Sequence, residues 1–280
     1  MRRGLVARRF ALDVVSRAVM KAYFGDGGRL LFAHRGGAKR FPENTMHAFE
    51  QAYALGFRWI ETDVHLSADG TIVVHHDPTL ERTTNGQGRL RDRTLAELRT
   101  LDAGYRFTRD GRTYPHRGRG LTIPTLEEAF ALAPDLRLNL EMKGDDPNLP
   151  KALYEFLEHH GLRDRALVAA GKDVMTERFR TYAGDRYATS PGITGITRFW
   201  AAVRARVDRF VDVRFDALQV PPSHGMLTVV EPRFVEAAHR RGLKVHVWTI
   251  DDPAEMRRLA ALGVDGVMSD RPEALMETLG

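Results

Sequence analysis

Short runs of apolar and β-branched residues alternate along most of the chain with longer segments in which apolar residues recur every three or four positions. This alternation predicts strands joined by helical crossovers, and therefore a parallel sheet. Eight runs have the length and composition of strands: 30–34, 58–63, 137–142, 166–169, 186–189, 217–220, 244–248 and 266–268. The helix-period segments between them are 44–55, 126–132, 149–159, 194–210, 232–241 and 253–262. Eight such units close naturally into a (β/α)8 TIM barrel of the α/β class.

One further strand-like segment, residues 71–76, does not fit this repeat. It follows Leu66 after only four residues, Ser67-Ala68-Asp69-Gly70, which carry a tight-turn signal. A parallel strand needs a crossover of about a dozen residues or more, so 71–76 is predicted to return antiparallel as a hairpin. Residues 77–125 then form a long insertion. Together the hairpin and insertion occupy 64–125, and loops of this length are usually functional.

The first 28 residues follow a different pattern and predict an N-terminal amphipathic helix that precedes a barrel domain of residues 29–280. Two stripes at helical spacing run along it, one apolar and one charged: Leu12, Val15, Val19 and Tyr23, and Arg9, Asp13, Arg17 and Lys21. The charges interrupt the apolar stretch that a signal peptide requires. The helix either packs on the barrel or contacts a membrane peripherally through residues 1–24, and Asp13 in the basic stripe favours packing.

Composition narrows the classes of protein to consider. With 43% hydrophobic and 28% charged residues over 280 positions, the chain is globular. Because it has no Cys, disulfides, thiolate metal sites and cysteine nucleophiles are excluded. Its net charge is +5, but arginines alternate with acidic residues instead of clustering, so no nucleic-acid partner is expected. No apolar stretch reaches the roughly 18 residues of a membrane span, and a cytoplasmic location is expected.

Acidic side chains stand near the ends of two predicted strands. Glu61 and Asp63 share one face of the second strand, because alternate strand residues point the same way. Glu141 and Lys143 share a face of the next barrel strand. Three carboxylates that converge at the C-terminal end of a barrel would repel one another unless a hard divalent cation lay between them. The pattern favours one Mg²⁺ or Ca²⁺ over the alternative, a network of strand-end salt bridges.

Histidines end two other predicted strands. The first barrel strand finishes with His34, followed by Arg35 and two glycines, and the hairpin finishes with His75 and His76. Neighbouring strand residues face opposite sides, so only one of this pair can face the barrel mouth. His65 shares the face of the carboxylates and is expected at the rim. Two histidines, a cation and the guanidinium fork of arginine suit phosphodiester chemistry, in which one His accepts a proton and another donates one.

Nine short motifs occur in a fixed order: His34-Arg35-Gly36, Pro42-Glu43-Asn44-Thr45, Glu61-Thr62-Asp63-Val64, Asp69-Gly70-Thr71-Ile72-Val73-Val74-His75-His76-Asp77, Arg82-Thr83-Thr84-Asn85-Gly86, Ile123-Pro124-Thr125-Leu126-Glu127-Glu128, Glu141-Met142-Lys143, Trp248-Thr249 and Gly263-Val264-Asp265-Gly266. Through them the sequence resembles the glycerophosphodiester phosphodiesterase family from about residue 31 to residue 272. The resemblance implies a TIM barrel with an insertion after strand two. It also implies metal-dependent hydrolysis of a glycerophosphodiester to glycerol 3-phosphate and an alcohol.

The resemblance further implies a role for each site residue. The metal ligands would be Glu61, Asp63 and Glu141, the acid–base pair His34 and His76, and the substrate-binding residues Arg35, Lys143 and Trp248. His76 is selected over His75 because the family places its catalytic His directly before Asp. The implied route has two steps, in which the substrate's own hydroxyl attacks phosphorus and water then opens a cyclic phosphate. Asp251 and Ser269 depart from the usual family residues beside the site.

Two alternative functions stay open at this point. A lysophospholipase D-like hydrolysis of lysophospholipids would use the same residues with an acyl chain in the pocket. A phosphate-binding barrel without catalysis would need only Arg35, Lys143 and basic loops, and it leaves the two histidines and three carboxylates unexplained. The sequence leaves the head group, the choice between Mg²⁺ and Ca²⁺, and the oligomeric state open.

Overall fold

The computed structural model describes residues 21–280. Within this range eleven strands are present: β1 (Leu30–His34), β2 (Trp59–Leu66), β3 (Ile72–Val74), β4 (Arg137–Met142), β5 (Ala166–Ala170), β6 (Ala188–Thr189), β7 (Ala217–Val220), β8 (Ser223–His224), β9 (Leu227–Thr228), β10 (Lys244–Val247) and β11 (Gly266–Ser269). Eight of them pair in parallel in the order β6-β5-β4-β2-β1-β11-β10-β7. The two ends of this order meet where the Asp216 backbone N–H donates to the Thr189 carbonyl at 2.9 Å. The predicted barrel is confirmed.

Helices connect the strands and cover the barrel. They are α1 (Met46–Ala54), α2 (Leu95–Leu98), α3 (Leu126–Ala131), α4 (Leu149–His159), α5 (Asp173–Ala183), α6 (Ile193–Ala205), α7 (Pro232–Arg240), α8 (Pro253–Ala261) and α9 (Pro272–Leu279). Side-chain capping defines where α3 begins. The Thr125 side chain accepts a hydrogen bond from Glu128 N, and the Glu128 side chain accepts one from Thr125 N, which together form a capping box. The helix predicted over 194–210 ends at Ala205, because Arg206 adopts a left-handed C-cap conformation (φ 62°).

The hairpin after the second strand is as predicted. β3 runs antiparallel to β2, with Val64 opposite Val74 and Leu66 opposite Ile72. This pairing explains why β2 continues to Leu66, three residues beyond the predicted end: residues 64–66 have a hydrogen-bonding partner in β3. The insertion carries its own apolar cluster around Leu80, Leu90 and Leu98, which are buried, so it is a packed layer above the barrel.

The described N-terminal segment closes the bottom of the barrel. Tyr23 and Phe24, in a short 3₁₀-helix, join the lumen side chains of the strands in one buried cluster. Lys21 Nζ binds Asp216 Oδ2 at 2.9 Å, and Trp59 Nε1 donates to the Tyr23 carbonyl at 3.1 Å. The rest of the predicted amphipathic helix, residues 1–20, lies outside the described residues. No helix within residues 21–280 is both long and apolar enough to cross a bilayer.

Candidate active site

Strand register brings the three predicted carboxylates together at the C-terminal end of the barrel. β2 lies between β1 and β4, with His34 opposite Glu61 and Asp63 opposite Glu141. One carboxylate oxygen from each of Glu61, Asp63 and Glu141 lies within 4.8 Å of the others. Glu61 and Asp63 are buried, and Glu141 is partly exposed. The cluster therefore opens toward the barrel mouth on the Glu141 side.

Two buried oxygens of this cluster lack hydrogen bonds. Glu61 Oε2 and Asp63 Oδ1 accept none from any residue between 21 and 280, although His34 Nε2 lies 3.5 Å from the first and Lys143 Nζ lies 3.1 Å from the second. Leaving a buried charged acceptor unsatisfied costs at least about 1–3 kcal/mol. Oxygen donors from three carboxylates match the ligand preference of Mg²⁺ and Ca²⁺. These residues therefore fit a divalent cation.

The electrostatics of Glu61 and Asp63 agree with that fit. Burial and the neighbouring Asp63 charge raise the pKa of Glu61 to about 8. Burial acts in the same direction on Asp63, but Lys143 and Arg35 outweigh it and lower the pKa of Asp63 below its ordinary value. Without a cation, two adjacent buried carboxyls cannot both stay ionised at neutral pH. A bound divalent cation would allow Glu61 to lose its proton.

Asn44 orients Asp63, a role that the sequence analysis did not assign. Its Nδ2 donates to Asp63 Oδ2 at 2.8 Å, and its Oδ1 accepts from Thr62 Oγ1 at 2.7 Å. Asn44 is buried and has φ 56°, a left-handed conformation that Asn tolerates better than most residues. An Asn directly before the Thr45 helix cap is the sequence signal that could have identified it. Arg35 Nε lies 3.2 Å from Asp63 Oδ2, the oxygen that also accepts from Asn44.

A carboxylate also holds the ring of His34. Its Nδ1 lies 2.6 Å from Asp270 Oδ1, and its Nε2 faces Glu61. Burial lowers the pKa of His34, but Glu61 and Asp270 outweigh burial, so the net pKa is raised. Asp270 directly follows β11, the neighbour of β1. Asp270 was not among the predicted site residues.

The ring of His76 has an equivalent partner. Its Nδ1 lies 2.6 Å from Asp77 Oδ1, and Arg82 binds Asp77 while donating to both Glu43 oxygens at 2.8 and 2.7 Å. Burial would raise the pKa of Asp77, but Arg82 and His76 outweigh it and lower that pKa to about 2. Glu43 Oε1 also accepts from Arg35 at 3.1 Å. One chain of ionic contacts therefore connects His76 to Arg35.

The histidines at the hairpin differ in environment. His75 is 5% exposed and its Nε2 donates to the Thr79 carbonyl at 3.2 Å, whereas the His76 side chain is 30% exposed. His65 was expected at the rim, and that expectation is wrong. His65 is buried, and its Nε2 donates to the His76 carbonyl at 3.1 Å. His65 thus supports the backbone that carries His76.

The predicted substrate-binding residues occupy the same end of the barrel. Lys143 Nζ lies 2.9 Å from Glu141 Oε1, and burial, which lowers the pKa of Lys143, is outweighed by Asp63 and Glu141, which raise it. Lys143 therefore stays protonated. Trp248 directly follows β10 and is 40% exposed, in position to contribute to the wall of the mouth. Seven of the eight predicted residues form one contact network, and Trp248 stands apart from it within the described residues.

Comparisons with known proteins agree with this geometry. The model of the glycerophosphoryl diester phosphodiesterase family matches residues 34–274. A glycerophosphodiester phosphodiesterase of Caldanaerobacter subterraneus subsp. tengcongensis is 32% identical over 252 residues, covering 88% of this chain and 96% of that protein. A probable glycerophosphodiester phosphodiesterase 2 of Mycobacterium tuberculosis is 34% identical, covering 90% of this chain and 91% of that protein.

Two solved structures share the architecture. The glycerophosphoryl diester phosphodiesterase domain of another Mycobacterium tuberculosis protein superposes with a TM-score of 0.79 at 23% identity, covering 89% of this chain and 98% of that one, and this likeness supports the fold alone. A phosphodiesterase of Oleispira antarctica, solved in complex with the product sn-glycerol-3-phosphate, has a TM-score of 0.73 at 29% identity. That match covers 89% of this chain and 96% of the other.

Proposed function

The chain belongs to the glycerophosphoryl diester phosphodiesterase family and is a phosphoric diester hydrolase, and from this premise we propose that it cleaves glycerophosphodiesters by metal-dependent His/His acid–base catalysis. The products would be glycerol 3-phosphate and an alcohol. One observation carries the proposal: the converging carboxylates Glu61, Asp63 and Glu141 lie beside His34, in a contact network that extends to His76. Glu61 Oε2 and Asp63 Oδ1 make ion-pair contacts but accept no hydrogen bond from residues 21–280, which supports their availability to a cation.

Metal binding falls to the carboxylates and phosphate binding to the cationic side chains. Glu61, Asp63 and Glu141 would hold one Mg²⁺ or Ca²⁺, which when bound would offset negative charge on the phosphoryl group. Arg35 presents a planar guanidinium suited to two phosphate oxygens, and Lys143 adds a second positive charge. Both side chains also contact Asp63, so the phosphate-binding residues and the metal ligands would be linked through this carboxylate.

The two histidines would move the protons. In each ring a carboxylate accepts from Nδ1, so Nε2 is the atom left to exchange a proton with the substrate. One imidazole removes a proton from the substrate's neighbouring hydroxyl, whose oxygen bonds to phosphorus. The bond to the leaving oxygen breaks, and the other imidazole protonates that alcohol. Water then opens the cyclic phosphate with the two roles reversed, which restores both histidines.

Substitution of the histidines tests this assignment, with His75 as the matched control. His34→Ala and His76→Ala should each lower kcat for glycerophosphocholine by roughly 10²- to 10⁴-fold, the usual contribution of acid–base catalysis. His75→Ala should lower kcat far less, because its ring donates to Thr79 and packs within the insertion. Equal losses from His75→Ala and His76→Ala would contradict the assignment.

A second candidate substrate class is lysophospholipids, which exposed apolar residues at the mouth favour. Met226 and Leu227 lie at the tip of the β8–β9 hairpin, directly after barrel strand β7, and are 102% and 51% exposed. Trp248 follows the neighbouring strand β10. Met226→Ser with Leu227→Ser should slow lysophosphatidylcholine hydrolysis and leave glycerophosphocholine hydrolysis nearly unchanged. No lysophosphatidylcholine hydrolysis by the native chain, or a rate that the two substitutions leave unchanged, would count against this candidate.

The proposed location is the cytoplasm, with the N-terminal segment as the candidate peripheral membrane contact. The apolar and basic stripes allow this contact, but Asp13 in the basic stripe favours packing, and residues 21–24 contribute to the barrel. Deletion of residues 1–20 tests it, because removing Tyr23 and Phe24 as well would empty part of the lumen. Weaker binding to anionic vesicles with unchanged thermal stability would support membrane contact. Lower stability with unchanged vesicle binding would support packing.

A further inference from the structure

A second cleft opens beside Lys143, on the flank of the candidate active site. Its volume is about 420 Å³, within the range of small-molecule sites. Segments 78–79 and 89–91 of the insertion form one wall, and the loop after β4 forms the other. Because Lys143 lines this cleft and also contacts Asp63 and Glu141, the cleft adjoins the proposed reaction centre.

Two arginines of the insertion face this cleft from a fixed stretch of backbone. Leu90, between them, is fully buried and its N–H donates to the Pro78 carbonyl at 3.0 Å. Arg89 forms an antiparallel bridge with Thr79. The backbone on both sides of Leu90 is therefore held in place, and Arg89 and Arg91 extend from it as exposed side chains.

These two guanidinium groups lack strong protein partners. Arg89 makes no side-chain hydrogen bond or ion pair with any residue from 21 to 280, and Arg91 has only a contact of 3.9 Å with Asp92. The cleft also contains Asp145, which lies near Arg91, and Asp146, but neither forms an ion pair with Arg89 or Arg91, and each binds another group. Asp145 binds Lys172 Nζ at 3.1 Å, and Asp146 accepts from Asn148 N at 2.9 Å.

We propose that this cleft binds an anionic group, a carboxylate or a second phosphate, on the alcohol half of the diester. The proposal rests on the proposed function, since the diester itself must lie at Glu61, Asp63 and Lys143. Guanidinium groups pair bidentately with either anion. Arg89 and Arg91 would then make the enzyme favour substrates whose leaving alcohol carries negative charge. The effect should be moderate and should weaken in high salt, because both side chains are exposed.

Two matched pairs of substrates test the preference. Glycerophosphoserine differs from glycerophosphoethanolamine by one carboxylate, and glycerophosphoinositol 4-phosphate differs from glycerophosphoinositol by one phosphate. In the double variant Arg89→Gln/Arg91→Gln, kcat/KM should fall about 3- to 10-fold for the anionic member of a pair and less than about twofold for the other. If kcat/KM falls selectively in only the first pair, the anion is a carboxylate. If it falls selectively in only the second pair, the anion is a phosphate. Arg93→Gln, a nearby exposed arginine outside the cleft that pairs with Glu97, is the control.

An unchanged kcat/KM ratio between the two members of each pair in the double variant would overturn the cleft assignment while leaving the hydrolase proposal intact. The same selective fall in kcat/KM in Arg93→Gln would do so as well. Calorimetric binding of the same four diesters to His76→Ala, with and without Arg89→Gln/Arg91→Gln, separates the two proposals further. If the enzyme cleaves none of the four diesters, the proposed function fails, and calorimetry still decides the cleft. Tighter binding of the anionic member that disappears with Arg89→Gln/Arg91→Gln supports the cleft, and equal binding of both members contradicts it.

Discussion

Removing the divalent cation should make the folding stability of this chain depend on pH through Glu61. The Glu61 carboxyl is buried beside Asp63, which raises its pKa from the ordinary value of 4.5 to about 8. Between these two pH values the cation-free folded state keeps the Glu61 proton, whereas the unfolded chain loses it. A bound cation removes the difference, because Glu61 is then ionised in both states.

The sign and size of this pH dependence follow from proton linkage. Because the folded state binds more protons than the unfolded state, the free energy of unfolding falls as the pH rises. The contribution of Glu61 is complete below 4.5 and is lost progressively up to about 8. Each pH unit in that window costs at most about 1.4 kcal/mol, so raising the pH from about 5 to about 7.5 should cost up to about 3 kcal/mol. At roughly 2–4 °C per kcal/mol, the melting temperature should fall by several degrees.

Thermal unfolding in EDTA across this pH range, for the native sequence and Glu61→Gln, measures the effect. The glutamine cannot ionise, so the variant should match the native chain near pH 5 and become the more stable protein near pH 7.5. The difference between the two proteins cancels the titrating groups that lie away from Glu61, whereas the part of the raised His34 pKa that Glu61 causes adds to the Glu61 effect in the same direction. Glu50→Gln, an exposed position, should keep the native dependence. Equal pH slopes for the native chain and Glu61→Gln would refute the reasoning.

Substitutions at three further positions probe the groups that orient the site. Asp270→Asn should lower kcat and move the limb of the pH–rate profile governed by His34 to lower pH, because the pKa of His34 loses one raising carboxylate. Arg82→Gln should lower kcat by less than His76→Ala does, and Arg82→Lys should restore part of it, as steady-state kinetics would show. Asn44→Ala should lower the free energy of unfolding in urea by about 1–3 kcal/mol, because two buried groups lose their partner. Asn44→Gly should cost less, since glycine adopts φ 56° without strain.

The barrel and its carboxylates could be predicted because they depend on local patterns. The alternation of side chains along a strand placed Glu61 and Asp63 on one face. The four residues between Leu66 and residue 71 required the next strand to run antiparallel. Both features are properties of consecutive residues. Glu141 joined the prediction for the same reason, because successive barrel strands end at the same rim.

Partners that come from distant parts of the chain could not be found in this way. Asp270 reaches His34 only because β11 pairs with β1 and closes the ring, and strand order is not written in either segment. His65 lies on the same strand face as the carboxylates, yet its ring is buried and donates to the His76 carbonyl. Lys21 and Tyr23 fit helical stripes in the sequence, but in the structure Lys21 binds Asp216 and Tyr23 fills the lumen. In each case a tertiary contact decides the environment that the local pattern leaves open.

Hydrolysis of glycerophosphocholine before and after chelation tests the central claim most directly. The purified protein is treated exhaustively with EDTA, and choline release and the phosphorus product are followed by enzymatic assay and ³¹P NMR. Activity should disappear, Mg²⁺ or Ca²⁺ should restore it, and glycerol 3-phosphate should be the phosphorus product. Full activity after exhaustive chelation would contradict the assignment of Glu61, Asp63 and Glu141 as ligands of a catalytic cation.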